Sequence, residues 1–287
     1  TQLLTSDANT QISIEGLTFE DGDIGAFGGG IWLIAYDADV TISGGSLVQN
    51  NATGSGGGAA LEFQSVFGGL DSGSIELVNN TFFDNSAGAN GGGLFVFGQY
   101  AGFVTTMTNN SFGGNDAGTD ATDFGGGAHL FILDAAAVAH IYNNIFWANT
   151  AGAGGNNGSD LYINNIAGAT VNLYNNNLGT QANLATGQSM DLWVETTGGG
   201  AYNQAGNMTQ DPLFVDEFNG DLHLQSGSPV IDAGDNSAPS LPSEDIDGDA
   251  RITSGTVDIG SDEAQPVQTL SGPTGSSGGC FITSAQR

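Results

Sequence analysis

The chain repeats itself, and that constrains its fold more than any other feature. Six segments align: Ile14-Glu-Gly-Leu-Thr-Phe19, Ile42-Ser-Gly-Gly-Ser-Leu47, Leu77-Val-Asn-Asn-Thr-Phe82, Met107-Thr-Asn-Asn-Ser-Phe112, Ile141-Tyr-Asn-Asn-Ile-Phe146 and Leu173-Tyr-Asn-Asn-Asn-Leu178. Their third positions fall at 16, 44, 79, 109, 143 and 175, so the spacings are 28, 35, 30, 34 and 32 residues. Between them lie glycine triplets at 28–30, 56–58, 91–93 and 125–127, each followed by an apolar run such as Ile31-Trp-Leu-Ile34 or Leu94-Phe-Val-Phe97. Alternation with period two is a strand signal. Gly and Asn accept the positive φ that a sharp bend between strands demands. Each repeat therefore holds two or three short strands joined at Gly/Asn corners.

Repeat length varies by several residues, and the extra length collects beside the glycine runs, as in a solenoid whose insertions loop out on one face. A helical solenoid is disfavoured, because no segment carries a capped 3.6-residue period. A propeller blade needs four strands and ~40–45 residues, more than these repeats offer. The expected fold is all-β, a right-handed parallel β-helix over residues 1–205. Equivalent residues of successive coils then stack ~4.8 Å apart. On that reading Phe19, Phe82, Phe112 and Phe146 form an inward aromatic stack. Asn79, Asn109, Asn143 and Asn175 form an amide ladder at a corner, each side chain donating to the next.

Composition narrows the function. Two cations, Arg251 and Arg287, face 31 acids, for a net charge of -29. Nucleic-acid binding and docking on an anionic membrane both need clustered Lys/Arg and are excluded. With 39% hydrophobic residues and 16 Phe, the chain has the apolar surface for a core. The single cysteine, Cys280, rules out an intrachain disulfide and a multi-cysteine metal centre. No run approaches the ~18 apolar residues of a spanning helix. The opening Thr1-Gln2-Leu3-Leu4 is no signal peptide. The acidity and the lack of lysine favour a mature exported form.

The pattern changes toward the C-terminus. Residues 206–263 form an acidic segment expected to pack on or cap the helix; 13 of the 31 acids lie between 211 and 263. Residues 264–287 are a Gly/Ser/Pro linker ending in Cys280-Phe-Ile-Thr-Ser-Ala-Gln-Arg287. The run Asp211-Pro-Leu-Phe, Gly220-Asp-Leu-His-Leu, Gly227-Ser-Pro-Val-Ile-Asp-Ala-Gly, Asp245-Ile-Asp-Gly-Asp-Ala-Arg and Val257-Asp-Ile-Gly-Ser-Asp-Glu263 resembles the end of bacterial secreted β-helix proteins of the "choice-of-anchor" type. The match covers about 50 residues. The resemblance implies export and life at the cell surface or outside the cell, and little about activity. The tail around Cys280 is similar to a short Cys-Phe-Ile-Ala-Thr-Ala signature of exported proteins, which implies attachment or sorting through Cys280. Ser284 and the ending at Arg287 depart from that signature.

Candidate chemistry follows. A lyase acting on uronate polymers needs a cationic base or a charge-neutralising Arg, and Arg251 alone lies in the folded body, within the terminal motif rather than on a repeat face; the net charge repels polyanions. A hydrolase needs paired carboxylates ~5–9.5 Å apart. Asp84, Asp116, Asp120, Asp123 and Asp134 are the candidates, although solvated corners carry acids in any case. Asp245, Asp247 and Asp249 alternate as in calcium loops, so calcium is the candidate ion; Thr256 stands where an EF-hand has glutamate. The competing reading is a charged turn paired with Arg251. His129, His140 and His223 fall in different strand contexts and are not expected to share a transition metal. The expected function is therefore a non-enzymatic structural or adhesive surface protein whose partner is itself, stacked head to tail. The alternative is a carbohydrate-active or glycan-binding module using Trp32, Trp147 or Trp193.

Overall fold

The computed structural model describes residues 2–4, 10–64, 73–99, 101–152, 157–165, 167–195 and 198–265. It is an all-β parallel β-solenoid of about six turns. Sheet 1 contains Gln2–Leu4, Ile31–Tyr36, Ala59–Gln64, Leu94–Gly98, Ala128–Ile132, Leu161–Asn165 and Leu192–Val194. Sheet 2 contains Thr10–Glu15, Ala38–Ser43, Ser74–Val78, Val104–Thr108, Val138–Tyr142, Thr170–Tyr174 and Tyr202–Ala205. Sheet 3 contains Thr18–Glu20, Ser46–Val48, Thr81–Phe83, Ser111–Gly113 and Ile145–Trp147. Sheet 4 is built from the two-residue strands Asp23–Ile24, Asn51–Ala52, Ser86–Ala87, Asp116–Ala117 and Thr150–Ala151. All pairings within these four sheets are parallel and in register with the repeats.

Strand alternation fills the interior. Leu33, Leu61, Val96, Leu130 and Ile163 of sheet 1 are buried and face Val40, Ile75, Ile141 and Val171 of sheet 2 in one core. Phe82, Phe112 and Phe146 stack with ring centroids 4.5 and 4.7 Å apart and planes within 8°. Phe19 is half-buried and belongs to the same column, but Leu47 lies between it and Phe82.

The corners explain the glycines and asparagines. The third repeat positions are all left-handed: Gly16, Gly44, Asn79, Asn109, Asn143 and Asn175 have φ between 52° and 61°. At the glycine corner, a Cβ on Gly57 would lie 2.3 Å from the Gly92 carbonyl oxygen of the next coil, so side chains are excluded where corners stack.

The expected amide ladder sits one residue further along. Nδ2 of Asn80 donates to Asn110, Asn110 to Asn144, Asn144 to Asn176 and Asn176 to Asn207, at 2.9–3.1 Å. Of the links expected among Asn79, Asn109, Asn143 and Asn175, the one observed is Asn143 to Asn109, at 3.3 Å. The left-handed turn aims these four amides outward, and the following residue points in. A second ladder runs Asn50, Asn85, Asn115, Asn149 and ends on the Asp160 carboxylate.

The outward asparagines hold the C-terminal segment. Asn79 donates to the Glu244 carbonyl, Asn109 to those of Asp258 and Gly260, Asn143 to Asp235 and Asn175 to Ala233. The segment therefore lies as a strap along the side of the helix, over the corner between sheets 2 and 3, rather than over an end. It carries one antiparallel hairpin, Phe214–Asp216 with Asp221–Leu224. Its own small core joins Phe214, Leu222, Leu224, Val230 and Ile259 to Phe83 and Ile145 of sheet 3. Arg251 is 1% exposed and donates to Asn79 Oδ1 and to the carbonyls of Gly260, Ser261 and Asp262. Its nearest carboxylate is Glu263, at 3.8 Å; the turn acids Asp247 and Asp249 are not its partners.

Candidate functional site

The outer face of sheet 1 carries the most distinctive surface. In-register pairing sets Trp32, Ala60, Phe95, His129, Tyr162 and Trp193 in one outward column. Ile34, Glu62, Phe97, Phe131 and Asn164 form the next. The same alternation that buries Leu130 and Ile163 leaves these side chains on the outside.

Large rings close over His129. Phe95, Phe124, Phe131 and Tyr162 meet it with centroids 5.0–6.2 Å away, each steeply inclined to the imidazole. Phe124 stacks on Tyr162 at 4.4 Å, and Phe97 on Phe131 at 5.4 Å. His129 is 3% exposed, and burial pushes its pKa down to about 3, so the ring is neutral at physiological pH. Neither of its nitrogens has a hydrogen-bond partner among the described residues. Asn164 Oδ1 and Trp193 Nε1 are likewise buried and unpartnered. Buried polar groups are normally satisfied, so three on adjacent strands need an explanation. A groove of about 290 Å³ opens here, lined by Asn90, Phe95, Phe97, Phe124, His129, Phe131 and Asn164.

Trp32 and Trp193, singled out from sequence, both lie in the outward column. Trp32 donates to Glu62 Oε1 at 2.8 Å. Trp147 does not join them; it lies in sheet 3 beside Phe214 and Phe218 of the strap. The aromatic cage itself was missed in the sequence. Its legible trace was the outward alternation of Phe95, Phe97, His129 and Phe131 after two glycine triplets.

The carboxylates proposed for hydrolysis serve local structure. Asp134 accepts the Gly102 and Ala136 amides, Asp123 that of Asp120, and Asp84 the Gln49 side chain. Asp116 bonds Thr150. A pair the sequence did not reveal is Asp160 with Asp191, on either side of Gly179. Asp160 is fully buried, and burial raises its pKa to about 8 despite hydrogen bonds from Asn149 and Gly179. Burial also raises Asp191.

Asp245, Asp247 and Asp249 do not converge as a ligand set. Both oxygens of buried Asp245 are taken by backbone amides, Oδ1 by those of Asp247 and Asp249 and Oδ2 by that of Glu263. Asp249 points to solvent. Asp247 instead meets His223, whose Nε2 lies 2.8 Å from Asp247 Oδ2 and whose Nδ1 lies 2.5 Å from Asp221 Oδ1. His129 and His140 lie on the outer faces of sheets 1 and 2, away from His223 in the strap. Cys280 falls outside the described residues.

Among the described residues, no helix is long and apolar enough to cross a membrane. No family model, curated protein or solved structure matches this chain.

Proposed function

We propose that this protein is a non-enzymatic, exported β-helix adhesin that binds a neutral glycan chain along the outer face of sheet 1. The supporting observation is the ring-lined groove over His129, in which the imidazole and the Asn164 amide oxygen are buried with no hydrogen-bond partner among the described residues. Sugar rings present apolar C–H faces to aromatic platforms and hydroxyls to polar groups between them. Hydroxyls both donate and accept, so they suit an imidazole and an amide oxygen together. Ring-bearing strands recur every ~4.8 Å along the column, which gives an extended ligand successive platforms. The groove lining contains no carboxylate, and the surrounding charge of -29 repels a polyanion.

The test is a panel of neutral and acidic polysaccharides probed with the full chain by affinity electrophoresis. Binding to neutral members is expected. Tyr162→Ala and Phe131→Ala each weaken it about tenfold, the worth of one aromatic contact. Silence across the panel, or retention untouched by both substitutions, refutes the reading.

Self-association is the second reading. Thr10–Glu15, Thr18–Glu20 and Asp23–Ile24 are edge strands among the described residues. Leu17 beside them is 51% exposed. Open edges favour pairing with another copy.

A further inference from the structure

We infer that the strap holds a divalent transition-metal site of the zinc class, built from His223, Asp247 and Asp262. One ligand atom from each lies within 4.8 Å of the others. A tetrahedral ion with ligands at ~2.0–2.2 Å needs donors about 3.4 Å apart. His223 Nε2 and Asp247 Oδ2, at 2.8 Å, are already that close. Their side chains are 44% and 54% exposed, which leaves both free to adjust around an ion. Asp262 is the fixed member: it is 7% exposed, and the Leu224 amide anchors its Oδ2 at 2.8 Å.

Asp221 decides which nitrogen is offered. Its carboxylate takes the Nδ1 side of His223, which turns Nε2 toward Asp247 and Asp262. A carboxylate behind an imidazole is the arrangement that fixes metal-ligating histidines elsewhere. The charge is suited to a dication, since Asp221, Asp247 and Asp262 surround one imidazole. The site borders a cavity of about 330 Å³ between the strap and sheet 3, which supplies room for a water as fourth ligand. Calcium fits poorly, because it prefers six to eight oxygens and no nitrogen. The ligands come from the hairpin, the 245–251 turn and the end of the strap. An ion here adds a clasp to three pieces of the strap that Arg251, Asp245 and Asp262 already tie together by side-chain bonds.

The experiment is calorimetric titration of the chelator-treated full chain with ZnCl2, repeated with CoCl2 and visible absorption. One zinc per chain is expected, uncontested by equal calcium. His223→Gln and Asp247→Asn weaken binding at least ~10-fold and change the cobalt spectrum, and Asp221→Asn weakens it ~10–100-fold. Asp249→Asn leaves it unchanged. Absence of saturable zinc binding, or wild-type affinity in both His223→Gln and Asp247→Asn, overturns the assignment. Asp247 is half-exposed, so its variant keeps the test valid should His223→Gln fail to fold.

Discussion

Replacing Asn110 by alanine should cost more stability than replacing its neighbour Asn109 by glycine, although both are fully buried asparagines at the same corner. Asn110 Oδ1 accepts the Asn80 main-chain amide at 3.0 Å and the Asn80 side chain at 2.9 Å. Its Nδ2 donates to the Leu77 and Thr108 carbonyls and to Asn144 Oδ1. Truncation therefore strips two buried Asn80 donors of these acceptors. At ~1–3 kcal/mol for each unsatisfied group, the loss is about 2–6 kcal/mol. Asn109→Gly keeps the left-handed φ of 54° without strain. It loses two bonds to the strap, yet the Gly260 carbonyl keeps Arg251 as a donor. With the 3.3 Å bond from Asn143, three made-and-lost bonds at ~0.5–1.5 kcal/mol each give about 1.5–4.5 kcal/mol. The assays are urea unfolding by circular dichroism and amide exchange read by mass spectrometry. Asn110→Ala should lower the midpoint of the whole helix, while Asn109→Gly should raise exchange mainly in 230–263. Equal losses with the same exchange pattern would refute the division between inward ladder and outward anchor.

Two predictions concern pH and assembly. Asp160 holds its proton to about pH 8 in the folded chain but releases it near pH 4 when unfolded. The folded state thus binds more protons between those values, so stability falls as pH rises, by up to ~1.4 kcal/mol per unit, and levels off above pH 8. Asp258, raised to about 6 by burial, adds a loss of the same sign at lower pH. Urea midpoints from pH 6.5 to 8.5 should slope downward for the wild type and flatten in Asp160→Asn; identical slopes would show that Asp160 is ionised throughout. For assembly, sedimentation should show polymers growing with concentration, and monomers at every concentration, with or without calcium, would remove the edge-pairing reading.

The repeat made much of the fold legible before any coordinates. The positions at 16, 44, 79, 109, 143 and 175 are the left-handed corners, and the phenylalanines after them stack inside. The ladder was displaced by one residue because both members of each Asn-Asn pair suit a corner. A left-handed φ at the first turns its side chain out and the next one in, a choice set by backbone geometry rather than composition. The Asp245 turn misled for a related reason: alternating acids look alike whether they cap their own backbone or bind an ion. Asp245 spends both oxygens on amides, and Asp247 finds a histidine 24 residues away. Such a meeting depends on how the strap folds back, and the repeats do not determine it.

The strap also narrows where a ligand can lie. Its bonds fall on sheet 2, on sheet 3 and on their shared corner: Ser240 to Glu76, Pro239 to Thr108, Ser261 to Thr81 and Ser111. Its apolar side chains cover Phe83 and Ile145. The aromatic column of sheet 1 receives none of these contacts. The core does not require that column either, because the inward residues of the same strands already fill the interior. Rings placed outward cost solvation, and a buried imidazole with no partner costs more. An inert surface strand would place threonine or serine at 95, 97, 129 and 131 at no such expense. The cost falls on four adjacent strands, and the groove there is free of carboxylate in a chain of 31 acids. On the proposed glycan-binding reading, that combination suits a neutral, ring-shaped and hydroxylated ligand better than an anion.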